Sequence, residues 1–250
     1  MLFGVYAGII IHLTMNGQIH LESRIYLRSS RSCFTPFCCC SSGENAGSVW
    51  PSSVGNAVGV STHASVIKRV GAGYGADRPV SYIQGREWTA FTFGKVIPTT
   101  FTLCSITRYT GTVGVGEPRG RILQFEESNY LHGHWHDNIG IAHYHKWVTH
   151  HDWWKANLEW VVLCGTNGAK RVYELDSRPG IQDRRPRNIA TDQGAVLTSD
   201  NTLVINRGQY SGENSAYAAM EVITWNRALS DAEMVMLVLD KVGFHCFHVF

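Results

Sequence analysis

Residues Ala216 to Asp240 read Ala-Tyr-Ala-Ala-Met-Glu-Val-Ile-Thr-Trp-Asn-Arg-Ala-Leu-Ser-Asp-Ala-Glu-Met-Val-Met-Leu-Val-Leu-Asp, and they decide the fold. Tyr217 to Trp225 is a long apolar strand. Asn226 to Leu229 is a short link, and a helix follows from Ser230 to Lys241. Ser230 and Glu233 form a capping box: the serine oxygen takes the Glu233 amide proton, and the Glu233 carboxylate reaches back to the Ser230 amide. Asp231 and Glu233 also suit the positive end of the helix.

Other strands lie upstream. Thr99 to Tyr109 has the strongest strand propensity, and both its faces are apolar or small, as expected near the middle of a sheet. Trp160 to Cys164, a turn at Gly165 to Gly168, and Lys170 to Leu175 make a hairpin. Shorter candidates are Val58 to Val70, Val80 to Ile83, Thr89 to Phe93, Arg121 to Phe125, Val196 and Leu197, and Leu203 to Asn206. Gly71 to Arg78, Gly111 to Gly120 and Arg178 to Arg187 read as loops.

The chain has 250 residues, 25 of them glycine, enough for one large all-β unit. Its net charge of +2 implies no pull toward nucleic acid or anionic membrane. No apolar run is long enough for a transmembrane helix. Residues 1–43 are expected to be a poorly structured extension, and 44–250 the folded domain. Leu2 to Leu13 is a short apolar stretch with no preceding positive charge. The Ser/Arg segment after it also fits an organellar transit peptide, or simply a disordered leader. Seven cysteines, three of them adjacent at Cys38 to Cys40, do not make a disulfide framework, nor does the cluster have zinc spacing. Cys104 and Cys164 fall on core strands; a disulfide is the alternative, but we read them as buried thiols.

Phe101-Thr-Leu-Cys-Ser, the Trp160-Val-Val-Leu-Cys-Gly-Thr-Asn-Gly hairpin with Val172-Tyr-Glu-Leu, and Met220-Glu-Val-Ile-Thr-Trp-Asn-Arg-Ala-Leu-Ser-Asp-Ala-Glu-Met come in a telling order. Together they resemble the laminin G / pentraxin branch of the concanavalin A-like lectins and glucanases, over roughly Phe91 to Leu239. The resemblance implies an all-β, two-sheet antiparallel jelly-roll sandwich with one short C-terminal helix. It also implies a lectin-like adhesion role, an extracellular or secretory setting, and glycan or protein partners at a concave face or rim loops. The family's glucanases carry Glu-x-Asp-x-x-Glu on one strand. That motif is absent here, so no enzyme is expected. Glu-x-Asp at Glu174 and Asp176 lacks the third acid.

Two clusters carry candidate chemistry. Seven of the twelve histidines lie between His132 and His151. With a turn at Asp137-Asn138, Tyr130 to Lys146 becomes a hairpin in which His132 faces His143 and His134 faces Ile141. One face then gathers His132, His134 and His143, which could hold a Zn²⁺-like ion and with it a metal-dependent enzyme; histidines hydrogen-bonded on a sheet face are the plainer reading. The other face, Leu131, Gly133, Trp135, Gly140, Ala142 and Tyr144, is expected in the core. A Ca²⁺ ion, common in relatives, is the other cofactor the resemblance allows, but Asp137, Asn138 and Asp152 are too scattered to assign its site. The second cluster is Trp147, His150, His151, Asp152, Trp153 and Trp154, whose flat rings suit the apolar faces of sugars. The expectation is a non-catalytic glycan-binding or adhesion module, the alternative being a scaffolding subunit that docks proteins.

Overall fold

The computed structural model describes residues 25–28, 49–51, 58–61, 66–111, 119–151, 155–175, 185–210 and 212–245. The Cys38 to Cys40 cluster and most of residues 1–43 lie outside the described residues.

The elements are β1 (Ile25–Arg28), β2 (Val49–Pro51), β3 (Val58–Ser61), β4 (Ile67–Gly73), β5 (Ala76–Gly85), β6 (Phe91–Thr92), β7 (Thr102–Tyr109), β8 (Leu123–Phe125), β9 (Tyr130–Trp135), β10 (Asn138–Tyr144), β11 (Val161–Thr166), β12 (Arg171–Leu175), β13 (Pro186–Asn188), β14 (Leu203–Ile205), β15 (Tyr217–Trp225) and α1 (Asp231–His245). Among the described residues they form a two-sheet antiparallel sandwich with one C-terminal helix. An eight-stranded sheet runs β13-β12-β11-β7-β15-β5-β4, with β1 beside β15. A seven-stranded sheet runs β10-β9-β8-β14-β6-β3-β2.

Between the sheets lies an apolar layer that includes Phe91, Phe101, Leu103, Phe125, Tyr130, Tyr144, Leu163, Leu203 and Val222. As its apolar faces predict, β7 sits centrally between β11 and β15, and all eight of its residues are buried. A second apolar layer lies on the far side of the eight-stranded sheet. There Ile106, Val162, Met220, Ile223 and Trp225 cluster with Leu229, Met234 and Val238, the last two one helical turn apart on α1. The capping box forms: the Ser230 amide donates to Glu233 Oε2 at 2.8 Å, and the Glu233 amide donates to Ser230 Oγ at 3.4 Å. The Arg227 guanidinium forks onto the same carboxylate at 2.6 and 3.0 Å and, as the main cause, holds its pKa down to about 2.

Several expectations are corrected. Cys104 and Cys164 are direct register partners on β7 and β11 and are joined in a disulfide, not left as thiols. The glycine-rich stretch Gly71 to Arg78 is not a loop. It holds a tight turn at Tyr74 and Gly75, both at positive φ, that joins β4 to a ten-residue β5. Val196 and Leu197 form no strand, and Pro186–Asn188, in the expected arginine loop, pairs with β12 as an edge strand. Ile25–Arg28, within the expected extension, pairs with β15. The reason is geometric: β5 takes only Tyr217 to Ala219 of β15, and β1 takes the rest of that edge, Glu221 to Thr224.

Candidate functional site

The β9–β10 hairpin turns at His136-Asp137, one residue before the expected position. Both residues adopt positive φ, 46° and 62°, as a two-residue primed turn requires. The Asp137 amide donates to Arg119 O at 3.0 Å, and the Asn138 side-chain amide donates to His136 O at 3.0 Å. Pairing therefore sets Asn138 against Trp135 and Ile139 against His134. A bulge at Gly140 then absorbs one residue, so that Ala142 meets His132 and His143 meets Leu131. Gly140 sits at φ +70°, and a Cβ there would come within 2.7 Å of the Glu174 carboxylate.

A one-residue slip exchanges the faces of a strand. His132 and His134 point inward, each 1% exposed. His132 Nε2–H donates to Leu163 O at 3.2 Å, so its Nδ1 accepts from the Tyr144 hydroxyl at 2.7 Å. His134 lies 3.4 Å from Thr107 Oγ1 and meets the Tyr109 ring edge-on. Burial lowers the two imidazoles to about 4 and about 3 respectively, so both are neutral. His143 lies on the opposite, outer face with Leu131. The three-histidine metal site is thus not assembled, and no group of three or more His, Cys, Asp or Glu among the described residues is placed to hold a metal ion. The expected core face is also split: Tyr144 and Ala142 are inside, whereas Trp135 is outside and half-buried.

That outer face is where aromatic and polar groups converge. Trp135 and Trp147 lie 5.0 Å apart at ring centroids. His143 meets Trp147 edge-on at 4.8 Å, His151 stacks on it at 4.8 Å, and His136 stacks on Trp135 at 4.3 Å. Glu213 Oε2 accepts from Trp135 Nε1 at 3.0 Å and from Arg121 Nε at 2.6 Å. Arg121 also donates to Asn129 Oδ1 at 2.8 Å, and its guanidinium lies over Tyr210, 4.3 Å from the ring centre. The Asn129 backbone carbonyl accepts from His143 Nδ1–H at 3.1 Å, which leaves His143 Nε2 unprotonated in the neutral ring. The contacts close into a circuit: Trp135, Glu213, Arg121, Asn129, His143, Trp147, and back to Trp135. Burial, the largest cause, lowers the His143 pKa.

Beside this circuit opens a polar cleft of about 350 Å³, lined by Arg119, Gly120, His136, Asp137, Gly212, Glu213 and Asn214. Arg119 Nη1 donates to Asp137 Oδ1 at 3.1 Å. This volume is at the lower end of the ~300–1,000 Å³ typical of small-molecule sites.

Of the expected sugar-platform residues, Trp147 and His151 stand in the aromatic row, and His150 is exposed next to them. Asp152, Trp153 and Trp154 lie outside the described residues. Trp135, Arg121, Asn129, Tyr210 and Glu213 were not foreseen. The signal that could have found Trp135 was the His136-Asp137 alternative for the turn. Nothing local marks Glu213, which reaches Trp135 across 78 residues and Arg121 across 92.

No protein-family model and no curated protein matches the chain. Among solved structures it is similar to a Trypanosoma rangeli sialidase, at 12% identity and a TM-score of 0.48, over 94% of this chain and 36% of that one. It is also similar to domain 4 of AbnA, a GH43 extracellular arabinanase from Geobacillus stearothermophilus solved in complex with arabinotriose. There the identity is 10% and the TM-score 0.47, over 75% of this chain and 91% of that one. The chain spans about a third of the length of the sialidases it matches. Likeness this loose carries no inference about ligand; the two-sheet architecture stands on the strand pairing itself. Among the described residues no helix is long and apolar enough to cross a membrane.

Proposed function

We propose that this chain is a non-catalytic, lectin-like module of the laminin G type that binds a glycan on the outer face of the seven-stranded sheet. One observation carries the reading: half-buried Trp135 and Trp147 stand side by side, bordered by Glu213, Arg121 and Asn129, at the edge of an open polar cleft. An indole face gives the apolar side of a pyranose a surface to lie on, and neighbouring carboxylate and amide groups orient its hydroxyls. In most glycosidases one carboxyl group delivers a proton and a second acts as nucleophile or base. The two carboxylates of the cleft, Asp137 and Glu213, are each engaged by an arginine, an arrangement that suits fixed recognition better than proton transfer.

The test is binding of the labelled chain to an array of immobilised oligosaccharides, repeated with Trp135→Ala and Trp147→Ala. Selective binding lost in both variants, with melting temperatures still close to wild type, is the expected result. Binding unchanged in both variants sinks the assignment of the site. A second reading, docking of a protein partner, draws on exposed Ile67 and Val70 of edge strand β4, an edge otherwise guarded by Lys68 and Arg69.

A further inference from the structure

We infer that the cleft selects uncharged glycans and rejects anionic ones, an inference that rests on the glycan reading above. Among the described residues, its arginines and carboxylates form two closed pairs. Arg119 Nη1 stands 3.1 Å from Asp137 Oδ1, and Arg121 Nε stands 2.6 Å from Glu213 Oε2. Both arginine side chains are only 6% exposed, whereas their carboxylates are 55% and 29% exposed. The cations are therefore held at the back of the site and the anions face its opening.

The arginines have little left to offer. Arg119 Nη2 already donates to Gly111 O at 2.7 Å, and its guanidinium lies 5.6 Å from the Tyr109 ring centre. Arg121 Nη1 is used by Asn129 Oδ1, and Tyr210 covers its plane. An incoming carboxylate or sulfate would meet Asp137 and Glu213 first and would have to displace one of them to reach a cation. The approach to two like charges and the loss of a charge-assisted hydrogen bond already formed both count against it. His136 Nε2, 3.9 Å from Glu213 Oε1 and itself exposed, is the remaining charge-bearing group of the lining; when protonated it faces a carboxylate already in place. Hydroxyl groups face no such barrier. They donate to the outward carboxylate oxygens and accept from the side-chain amide of Asn214 without moving either pair.

The experiment uses immobilised oligosaccharides in matched pairs, each neutral glycan beside its counterpart carrying a hexuronate or sulfate. Wild type is expected to bind at least one neutral member, with its acidic partner about tenfold weaker or worse. The neutral affinity should change less than about twofold between 50 and 500 mM NaCl, because no counter-ion is released on binding. Asp137→Asn and Glu213→Gln each free one arginine, and each should narrow the gap by strengthening the acidic member. Asp137 is exposed, so its variant keeps the test informative should Glu213→Gln fail to fold. Preference for the acidic members, with affinity falling steeply in salt, overturns the inference and leaves the glycan reading standing. Binding to neither member of any pair overturns both.

Discussion

The two sheets turn very different outer faces away from their shared core. The outer face of the eight-stranded sheet is largely apolar and closed near α1, where Trp225, Ile223 and Met220 cluster with Met234 and Val238 and Cys104 is tied to Cys164. The outer face of the seven-stranded sheet, at its β8–β10 end, carries Trp135 and Trp147 half-open to solvent, with Glu213 holding Trp135 and Arg121 holding Glu213. Strand alternation alone cannot produce this difference, since both sheets obey it. What differs is the demand each face makes. An apolar outer face must be covered by something in the chain, and the capped helix meets that need. A face whose rings are bordered by hydrogen-bonding groups can stay partly open and remain available to a ligand.

This contrast separates stability from binding, and mutations can test the separation. The largest effect should come from Trp225→Ala, which empties a site 3% exposed under the helix. A loss of about 3–5 kcal/mol in chemical denaturation is expected, with glycan binding retained wherever the protein remains folded. A loss under about 1 kcal/mol would mean that the helix side is not a true core. Next, replacing both Cys104 and Cys164 by alanine should cost about 2–4 kcal/mol, again without altering ligand preference.

Acid should act between the sheets. His132 and His134 have folded-state pKa values of about 4 and about 3, below the ordinary 6.5 of an unfolded chain. Above pH 6.5 both are neutral in either state and cost nothing. As pH falls below 6.5 the unfolded chain takes up protons that the folded one refuses. Stability should therefore drop by roughly 1 kcal/mol per pH unit for each histidine, down to about pH 4 for His132 and about pH 3 for His134. Denaturation midpoints of wild type and His134→Phe at pH 7 and pH 5 measure this; equal slopes in the two proteins would remove His134 from the account. The smallest stability effect belongs to the outer face. Trp147→Ala should change stability by only about 1 kcal/mol while abolishing glycan binding.

The fold was largely legible because its signals are local. The capping box at Ser230 and Glu233, the apolar alternation of β7, and the Trp160 to Leu175 hairpin each announce themselves within a dozen residues. The site was only half legible. Trp147 and His151 stand out as an aromatic cluster, but strand alternation from an Asp137-Asn138 turn puts Trp135 on the core face. Asp137-Asn138 looks like a better turn than His136-Asp137 when each dipeptide is weighed alone. The contact that favours the earlier turn, Asp137 amide to Arg119 carbonyl, comes from a segment 18 residues away. Gly140, read as an ordinary strand residue, supplies the bulge that then restores pairing for the rest of β10. Glu213 and Ile25 show the same limit: each finds its place only once distant strands have paired. The disulfide was a matter of register too, since two cysteines in neighbouring strands are bonded only if pairing sets them opposite one another.

The most direct measurement follows the indole N–H resonances by NMR. Each is assigned by single Trp substitution and then followed as the strongest neutral oligosaccharide from the array is titrated in. The signals of Trp135 and Trp147 should shift together and saturate at one affinity, while those of Trp160 and Trp225, both buried against the eight-stranded sheet, stay still. Shifts at Trp160 or Trp225 with Trp135 and Trp147 unmoved would place the ligand elsewhere and contradict a glycan site on the outer face of the seven-stranded sheet.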